Sequence, residues 1–186
     1  MLNSFYIISE ISNQIYKVLK KNSGINVIYR PNKQDKDNNN LIKIIKTNIR
    51  NKVYIANKNN ICPIQGLTGV YLSAFNRKNL TSIYFNKNLI GSAHSFKEIR
   101  EKIKARCNII LLSPVFPTRE KKNIGLIKFL LISKQFQFVK LYPLGGILNI
   151  AKIRNYGIKG FAGIRYFEKK WELANENGEV FRTLPR

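Results

Sequence analysis

Histidine, cysteine and acidic residues are scarce in this chain of 186 residues, and each shortage excludes a class of site. One histidine and two cysteines, Cys62 and Cys107, do not provide the ligand spacing of a zinc site. The two cysteines also give no disulfide framework of the kind that secreted domains use. We therefore expect a soluble, cytoplasmic protein with reduced thiols.

Long hydrophobic runs are also missing. No apolar stretch approaches the roughly 20 residues that cross a bilayer. The segment Met1–Phe5 lacks the basic flank and the small-residue cleavage site of a signal peptide. The hydrophobic fraction of 44% is nevertheless that of a globular domain, and the length suits one well-buried core. A membrane partner is therefore not expected.

The shortage of acidic residues leaves a strong positive charge: 33 Lys and Arg against 10 Asp and Glu, or +23. Two explanations stay open. The charge can serve a polyanionic partner, either nucleic acid or a phosphorylated ligand. It can equally reflect base composition, since the chain is rich in Lys, Asn and Ile, whose codons are AT-rich. The basic residues are scattered, and no common nucleic-acid motif occurs. A nucleic-acid partner thus remains possible but has no motif behind it, and no feature indicates an oligomeric state.

Short β-branched or aromatic runs alternate along the chain with longer, polar, helix-like segments. Strands are predicted at Phe5–Ser9, Asn26–Arg30, Lys52–Asn57, Gly69–Ser73, Leu89–Ser92, Asn108–Ser113, Phe138–Pro143 and Gly160–Arg165. Helices are predicted at Ile11–Lys21, Asn39–Ile49, Phe96–Arg106, Gly125–Lys134, Leu148–Tyr156 and Phe167–Asn175. Ser95, with Glu98 three residues later, predicts an N-terminal cap for the third helix.

Eight such units predict an α/β protein, a single (β/α)8 TIM barrel of minimal length, with short or degenerate helices after the third and fourth strands. An open doubly wound sheet is the alternative, but no G-x-G-x-x-G follows the first strand. We expect the barrel to occupy residues 1–174 and a polar tail residues 175–186.

The residues that follow the strands are the candidate site, because such barrels carry their function at the carboxyl ends of the strands. Gly145-Gly146 follows the seventh predicted strand, and Ala162-Gly163 lies in the eighth. The loops of these last two units are where barrels commonly bind phosphate. Taken alone, they are equally consistent with ordinary turns. The run Ser113–Thr118 is stiffened by two prolines and followed by Lys121 and Lys122. A rigid loop with a cationic end can hold a pyrophosphate, although lysines in so basic a chain are also consistent with a solvated pair.

Four segments in order resemble the thiamine-phosphate synthase/TenI family. They are Ile90–Ser95, Leu112–Lys121, Leu144–Ile147 and Gly157–Ile164, within a resemblance that runs from about Val27 to Phe167. Members of the family are small (β/α)8 barrels. The resemblance implies an enzyme of thiamine biosynthesis, a transferase that joins a hydroxymethylpyrimidine pyrophosphate to a thiazole phosphate and releases pyrophosphate. Phosphorylated small molecules are then the expected partners.

The resemblance also implies roles for individual residues. Arg30, Ser92 and Lys121 match positions near the pyrophosphate and are the candidate catalytic residues. The candidate substrate-binding residues are Asn57, Thr118, Gly145, Gly146, Ala162 and Gly163.

The chain departs from the family at the metal site and at one loop position. The family implies Mg²⁺, but Lys58 and Asn76 stand where its two aspartates bind the metal, which leaves only Asn57 and Asn76 in that region. Neutral amides hold such a cation weakly, and Lys58 can instead place its own charge there. Pro114 stands where TenI-type tautomerases have a catalytic histidine, so the synthase branch is favoured. A TenI-like protein that binds a thiazole phosphate without turnover stays open, as does a basic RNA-associated scaffold. For His94, we favour a structural or helix-capping role.

Overall fold

The computed structural model describes residues 2–21, 24–31, 39–47, 51–57, 64–76, 88–118 and 122–169. Its strands are β1 (Asn3–Ile8), β2 (Ile25–Tyr29), β3 (Val53–Ala56), β4 (Gly69–Leu72), β5 (Asn88–Ala93), β6 (Ile109–Leu112), β7 (Lys140–Pro143) and β8 (Gly160–Gly163). Its helices are α1 (Asn13–Lys21), α2 (Asn39–Thr47), α3 (Phe96–Lys104), α4 (Leu126–Gln135) and α5 (Ala151–Arg154). Residues 165–169 are also helical.

The eight strands form one parallel sheet in the order β7-β6-β5-β4-β3-β2-β1-β8. A bridge between Leu144 and Ala162 joins the two ends of this sheet, just beyond β7 and within β8. The result is a nearly closed barrel with helices between its strands, and the predicted (β/α)8 fold is confirmed. Every strand has its carboxyl end at the same rim, so that the loops after the strands converge there.

The barrel has a core on each side of its wall. Inside it, Phe5 lies 6.0 Å from Tyr54 and 6.2 Å from Tyr142, measured between ring centroids. Between the wall and the helices lies a larger core that includes Tyr6 and Phe161. Strands that are buried on both faces read as continuous apolar runs. The interior is thus filled with side chains, which leaves the rim as the place for a ligand.

Several predicted boundaries move, each for a local reason. Helix α1 begins at Asn13 and not at Ile11, because the Ser12 hydroxyl accepts a hydrogen bond from the Ile15 N–H (3.2 Å) and caps the helix. Strand β7 begins at Lys140, because the Val139 N–H donates to the Phe136 carbonyl (3.0 Å) in a preceding turn.

The predicted strand Gly160–Arg165 was too long. Strand β8 pairs with β1 only through Gly163, opposite Tyr6, and residues 165–169 already form a helix, two residues earlier than predicted. Helix α5 is likewise limited to Ala151–Arg154, and the Asn149 side chain accepts a hydrogen bond from the Ala151 N–H (2.8 Å) at its start.

The predicted cap of α3 is confirmed. The Ser95 hydroxyl accepts a hydrogen bond from the Glu98 N–H (3.2 Å), and a Glu98 carboxylate oxygen accepts one from the His94 N–H (2.6 Å). The predicted tail at residues 175–186 lies outside the described residues, as do most of the segments after β3 and β4 where short helices were expected. Within the part of the chain that is described, no helix is long and apolar enough to span a membrane.

Candidate functional site

A cavity of about 650 Å³ opens at the carboxyl ends of the strands, and each of the eight strands or its following loop contributes to its wall. Ile7, within β1, and Arg30, directly after β2, both line the cavity. Seven predicted site residues line the cavity: Arg30, Asn57, Ser92, Thr118, Gly145, Gly146 and Gly163. Residues far apart in the sequence therefore meet in one place, as the barrel topology requires.

Two other predicted site residues do not line the cavity, and a third is outside the described residues. Ala162 is fully buried inside the barrel, in the inner core, and does not line the cavity. Asn76 is not among the residues that line the cavity, and its carbonyl oxygen accepts a hydrogen bond from Lys102 Nζ (2.6 Å). Lys121, like Lys58, lies outside the described residues.

Arg30, Tyr71 and Ser92 form a polar group on one side of the cavity. Burial raises the pKa of the Tyr71 phenol, while a hydrogen bond with Ser92 and the nearby Arg30 charge act in the opposite direction. A phenol with a raised pKa stays protonated near neutral pH and can donate a hydrogen bond. Ser92 is itself buried (4% exposed). This side of the cavity thus offers a guanidinium and hydroxyl groups suited to phosphate oxygens.

Asn57 occupies a left-handed conformation (φ +51°) at the end of β3. Its Oδ1 atom accepts a hydrogen bond from the Ser73 N–H (2.9 Å) and a longer one from Asn76 Nδ2 (3.4 Å). The two asparagines therefore contact each other, and the Asn57 oxygen is already engaged. Among the described residues, no group of three or more His, Cys, Asp or Glu side chains lies together. Asn57 and Asn76 therefore do not fit a divalent cation, which prefers carboxylate oxygens.

The loops after β6 and β7 are joined by backbone hydrogen bonds. The Val115 N–H donates to the Leu144 carbonyl (3.0 Å), and the Phe116 N–H donates to the Gly145 carbonyl (3.2 Å). Gly146 has a positive φ (+69°), and a Cβ atom there would lie 2.5 Å from the Phe116 carbonyl oxygen. Only glycine allows the two loops to approach so closely. The result is a rigid, backbone-lined edge beside Thr118.

His94 lines the cavity, but its ring is held by the loop after β6. Nδ1 lies 2.6 Å from the Ser113 carbonyl oxygen, which can only accept a hydrogen bond, so the imidazole donates from Nδ1. Its backbone N–H belongs to the α3 cap. Both contacts agree with the predicted structural role.

Among the wall residues that sequence reasoning missed are Tyr71, Phe75, Arg165 and the acidic Glu168. Tyr71 read as one more apolar residue of a buried strand. Phe75 is 85% exposed, on a loop whose pattern gave no signal. Arg165 was assigned to the end of a strand, whereas it begins the helical residues after β8. A boundary drawn at Gly163 would have placed this cation at the rim.

Comparisons with known proteins agree with this architecture. The chain is 27% identical over 175 residues to the thiamine-phosphate synthase of Prochlorococcus marinus subsp. pastoris, in an alignment covering 86% of this chain and 50% of that protein. The chain thus spans about half the length of this curated relative. No protein-family model matches the chain.

Two solved structures share the fold. The thiamine phosphate pyrophosphorylase from Pyrococcus furiosus superposes with a TM-score of 0.71 at 18% identity, covering 97% of this chain and 98% of that one. A 2-keto-3-deoxy-6-phospho-gluconate aldolase from Zymomonas mobilis gives a TM-score of 0.61 at 14% identity, covering 97% and 94%. The resemblance to thiamine-phosphate synthases that the sequence motifs indicated is confirmed by the first structure and by the curated relative.

Proposed function

We propose that this chain, a divergent thiamine-phosphate synthase-like barrel, binds phosphorylated small molecules in its rim cavity and acts in thiamine biosynthesis. The reaction that we assign to it joins a hydroxymethylpyrimidine pyrophosphate to a thiazole phosphate. The observation that carries the proposal is the meeting of Arg30, Ser92, Thr118 and the glycine loops in one cavity. In the sequence, these residues match positions of that family that bind the two phosphorylated substrates.

The proposed chemistry needs charge stabilisation and little acid–base help. The bond between the pyrimidine methylene carbon and a pyrophosphate oxygen breaks, and its electron pair leaves with the pyrophosphate. The lone pair of the thiazole nitrogen then forms the new carbon–nitrogen bond. Donors held in place for the leaving group and correct placement of the nitrogen are the main requirements. A wall in which the one histidine of the chain is engaged with Ser113 is consistent with such a reaction.

Within this proposal, the two sides of the cavity take different anions. Arg30 and Ser92 receive the pyrophosphate, together with Lys121 from outside the described residues. Thr118, Gly145, Gly146 and Gly163 hold the thiazole phosphate at the backbone-lined edge. Arg165 supplies a second cation to the wall, and with one acidic side chain there, Glu168, the charged groups of the described lining still favour anions.

The Mg²⁺ of the family has no carboxylate donors at Asn57 and Asn76, whose amides already bind each other and the Ser73 N–H. We propose instead that the ammonium group of Lys58 binds the pyrophosphate at this side of the rim. A K58M variant would then lose turnover, and addition of Mg²⁺ would not restore it.

The second candidate function is binding of a thiazole phosphate without turnover. The engaged Asn57 oxygen and the missing carboxylates favour it, whereas Pro114, in the place of the tautomerase histidine, argues against isomerase chemistry. The third possibility, an RNA-associated scaffold, has less support, because the basic residues are scattered along the sequence and do not form a cluster.

The test is an assay with both thiamine precursors, with and without Mg²⁺. Thiamine phosphate as product supports the synthase. If no product forms under either condition while thiazole phosphate still binds in calorimetry, the synthase is excluded and the binding protein remains.

The matched variants are R30Q, at the cavity, and R100Q, on the exposed face of α3. Loss of a guanidinium at a phosphate site costs about 1.5–3 kcal/mol, so that R30Q should weaken pyrophosphate binding about 10- to 150-fold. R100Q should leave it unchanged. Equal effects of the two variants would mean that net charge, rather than the cavity, binds the anion.

A further inference from the structure

Lys102 is a buried lysine between helix α3 and the barrel wall. It lies in α3 and is 1% exposed, whereas its neighbour Lys104 on the same helix is exposed. Its Nζ atom donates hydrogen bonds to the carbonyl oxygens of Ser73 and Asn76, both at 2.6 Å. Burial lowers the pKa of this amine, against nearby charges that raise it. Burying a lysine costs free energy, so a lysine held in this way calls for a reason.

The missing side chain of Gly91 leaves room for Lys102 against the face of β5. Gly91, in β5, lies beside the aliphatic part of Lys102, and a Cβ atom at Gly91 would lie 2.8 Å from Lys102 Cγ and 3.0 Å from Cδ. A side chain in β5 would therefore force the lysine out. Strand β5 pairs with β4 at this level, Gly91 opposite Leu72, so the lysine passes β5 and reaches the turn that follows β4.

That turn, Ser73–Asn76, is held from two sides. Within it, the Asn76 N–H donates to the Ser73 carbonyl (3.0 Å). From the helix side, Lys102 binds the carbonyls at both of its ends. From the cavity side, Asn57 Oδ1 accepts the Ser73 N–H. Between these anchors stands Phe75, a largely exposed phenyl ring on the cavity wall.

We propose that Lys102 is a positioning residue of the site, whose side-chain nitrogen fixes the Ser73–Asn76 turn and so sets Asn57 and Phe75 in place on the cavity wall. This inference rests on the proposed function of that cavity. A fixed phenyl ring at the mouth offers a flat apolar face to the ring of a heteroaromatic substrate, next to the polar side that receives its anion. The Lys102 nitrogen itself touches the turn and not the ligand.

The experiment compares K102M, which keeps the length of the aliphatic chain and removes the donors, with K104M as the matched control. Hydrogen exchange of the intact protein should accelerate at residues 73–76 by at least about tenfold in K102M, with the rest of the barrel protected as before. Binding of the hydroxymethylpyrimidine pyrophosphate, measured by calorimetry, should weaken about tenfold, as expected when a contact to its ring is misplaced without being removed, whereas inorganic pyrophosphate, which has no ring to meet Phe75, should bind as before. K104M should change neither quantity.

A second variant keeps the test decisive if K102M does not fold. G91A displaces the lysine through the contact with Cγ and should reproduce faster exchange at residues 73–76. Unchanged exchange in folded K102M or in G91A would overturn the inference, as would faster exchange with unchanged affinity for the hydroxymethylpyrimidine pyrophosphate. If the parent protein binds no phosphorylated ligand while K102M still loosens the turn, the proposed function fails and the structural contact stands.

Discussion

At the scale of single residues, the site depends on positions where one side chain, or the lack of one, decides the local geometry. Gly146 combines a positive φ with backbone oxygens on two sides, those of Phe116 and Pro117. Gly157 has a similar φ (+66°) but open space where a Cβ atom would stand. The pair therefore separates backbone strain from crowding of the two loops.

We expect G146A to cost about 1–3 kcal/mol of unfolding free energy and to weaken phosphate binding, because the β6 and β7 loops must move apart. G157A should cost only the strain, about 1–2 kcal/mol, and leave binding unchanged. Denaturant unfolding and calorimetry with inorganic phosphate measure the two quantities. Unchanged phosphate affinity in G146A would show that the anion does not bind at the loops after β6 and β7.

The sequence made some of these residues predictable and concealed others. Arg30, Asn57 and Ser92 are visible because polar residues interrupt or follow apolar strands at one end of each unit. Lys102 is not, because a lysine at a helical position in so basic a chain reads as solvated. Its burial depends on Gly91, a neighbour in space rather than in the sequence.

At the scale of elements, strands were placed to within one or two residues, because apolar runs follow directly from burial on both faces. Their ends were less predictable, since pairing with a distant strand decides them, as β1 decides the end of β8. Helix starts depend on local hydrogen bonds. That is why the Ser95 cap could be predicted from its spacing to Glu98.

Helix α3 gives the prediction at this scale. S95A should lower the unfolding free energy by about 0.5–2 kcal/mol, because the Glu98 N–H loses its acceptor at the start of the helix. Asparagine caps equally well, so S95N should stay close to the parent. Chemical denaturation of the three proteins measures the difference. Equal losses in both variants would show that the serine matters for packing and not for capping.

At the scale of the whole molecule, the fold class followed from counting units, whereas the near closure of the sheet was not visible in any one segment. The net charge of +23 is spread over this barrel and does not itself define the site. Buried ionisable groups connect the whole fold to pH. Burial raises the pKa of Tyr54 to about 12 from an ordinary 10.0, and that of Cys107 to about 12 from 9.0.

The sign of the resulting pH dependence is fixed. Above the ordinary values, the unfolded chain releases these protons while the folded one retains them, so the contribution of these two groups to stability is constant below about pH 9 and falls as the pH rises toward 12. The slope is up to about 1.4 kcal/mol per pH unit for each group. The lowered pKa of Lys102 acts in the opposite direction, but below its ordinary value of 10.5.

We therefore expect Y54F to lessen the loss of stability between pH 10.5 and 12, because one titrating group is removed from the inner core. Y156F, at a side chain that is 56% exposed, should follow the parent curve. Denaturant unfolding at a series of pH values checks both. Parallel curves for all three proteins would contradict the assignment of Tyr54.

The pairing of β1 with β8 has a consequence for synthesis on the ribosome. Asn3 pairs with Gly160, so one edge of β1 stays unpaired until β8 has been synthesised. Such an edge invites pairing with other chains, and contacts this distant in sequence form slowly. The net charge of +23, from 33 Lys and Arg against 10 Asp and Glu, makes copies of the chain repel one another and so opposes such pairing.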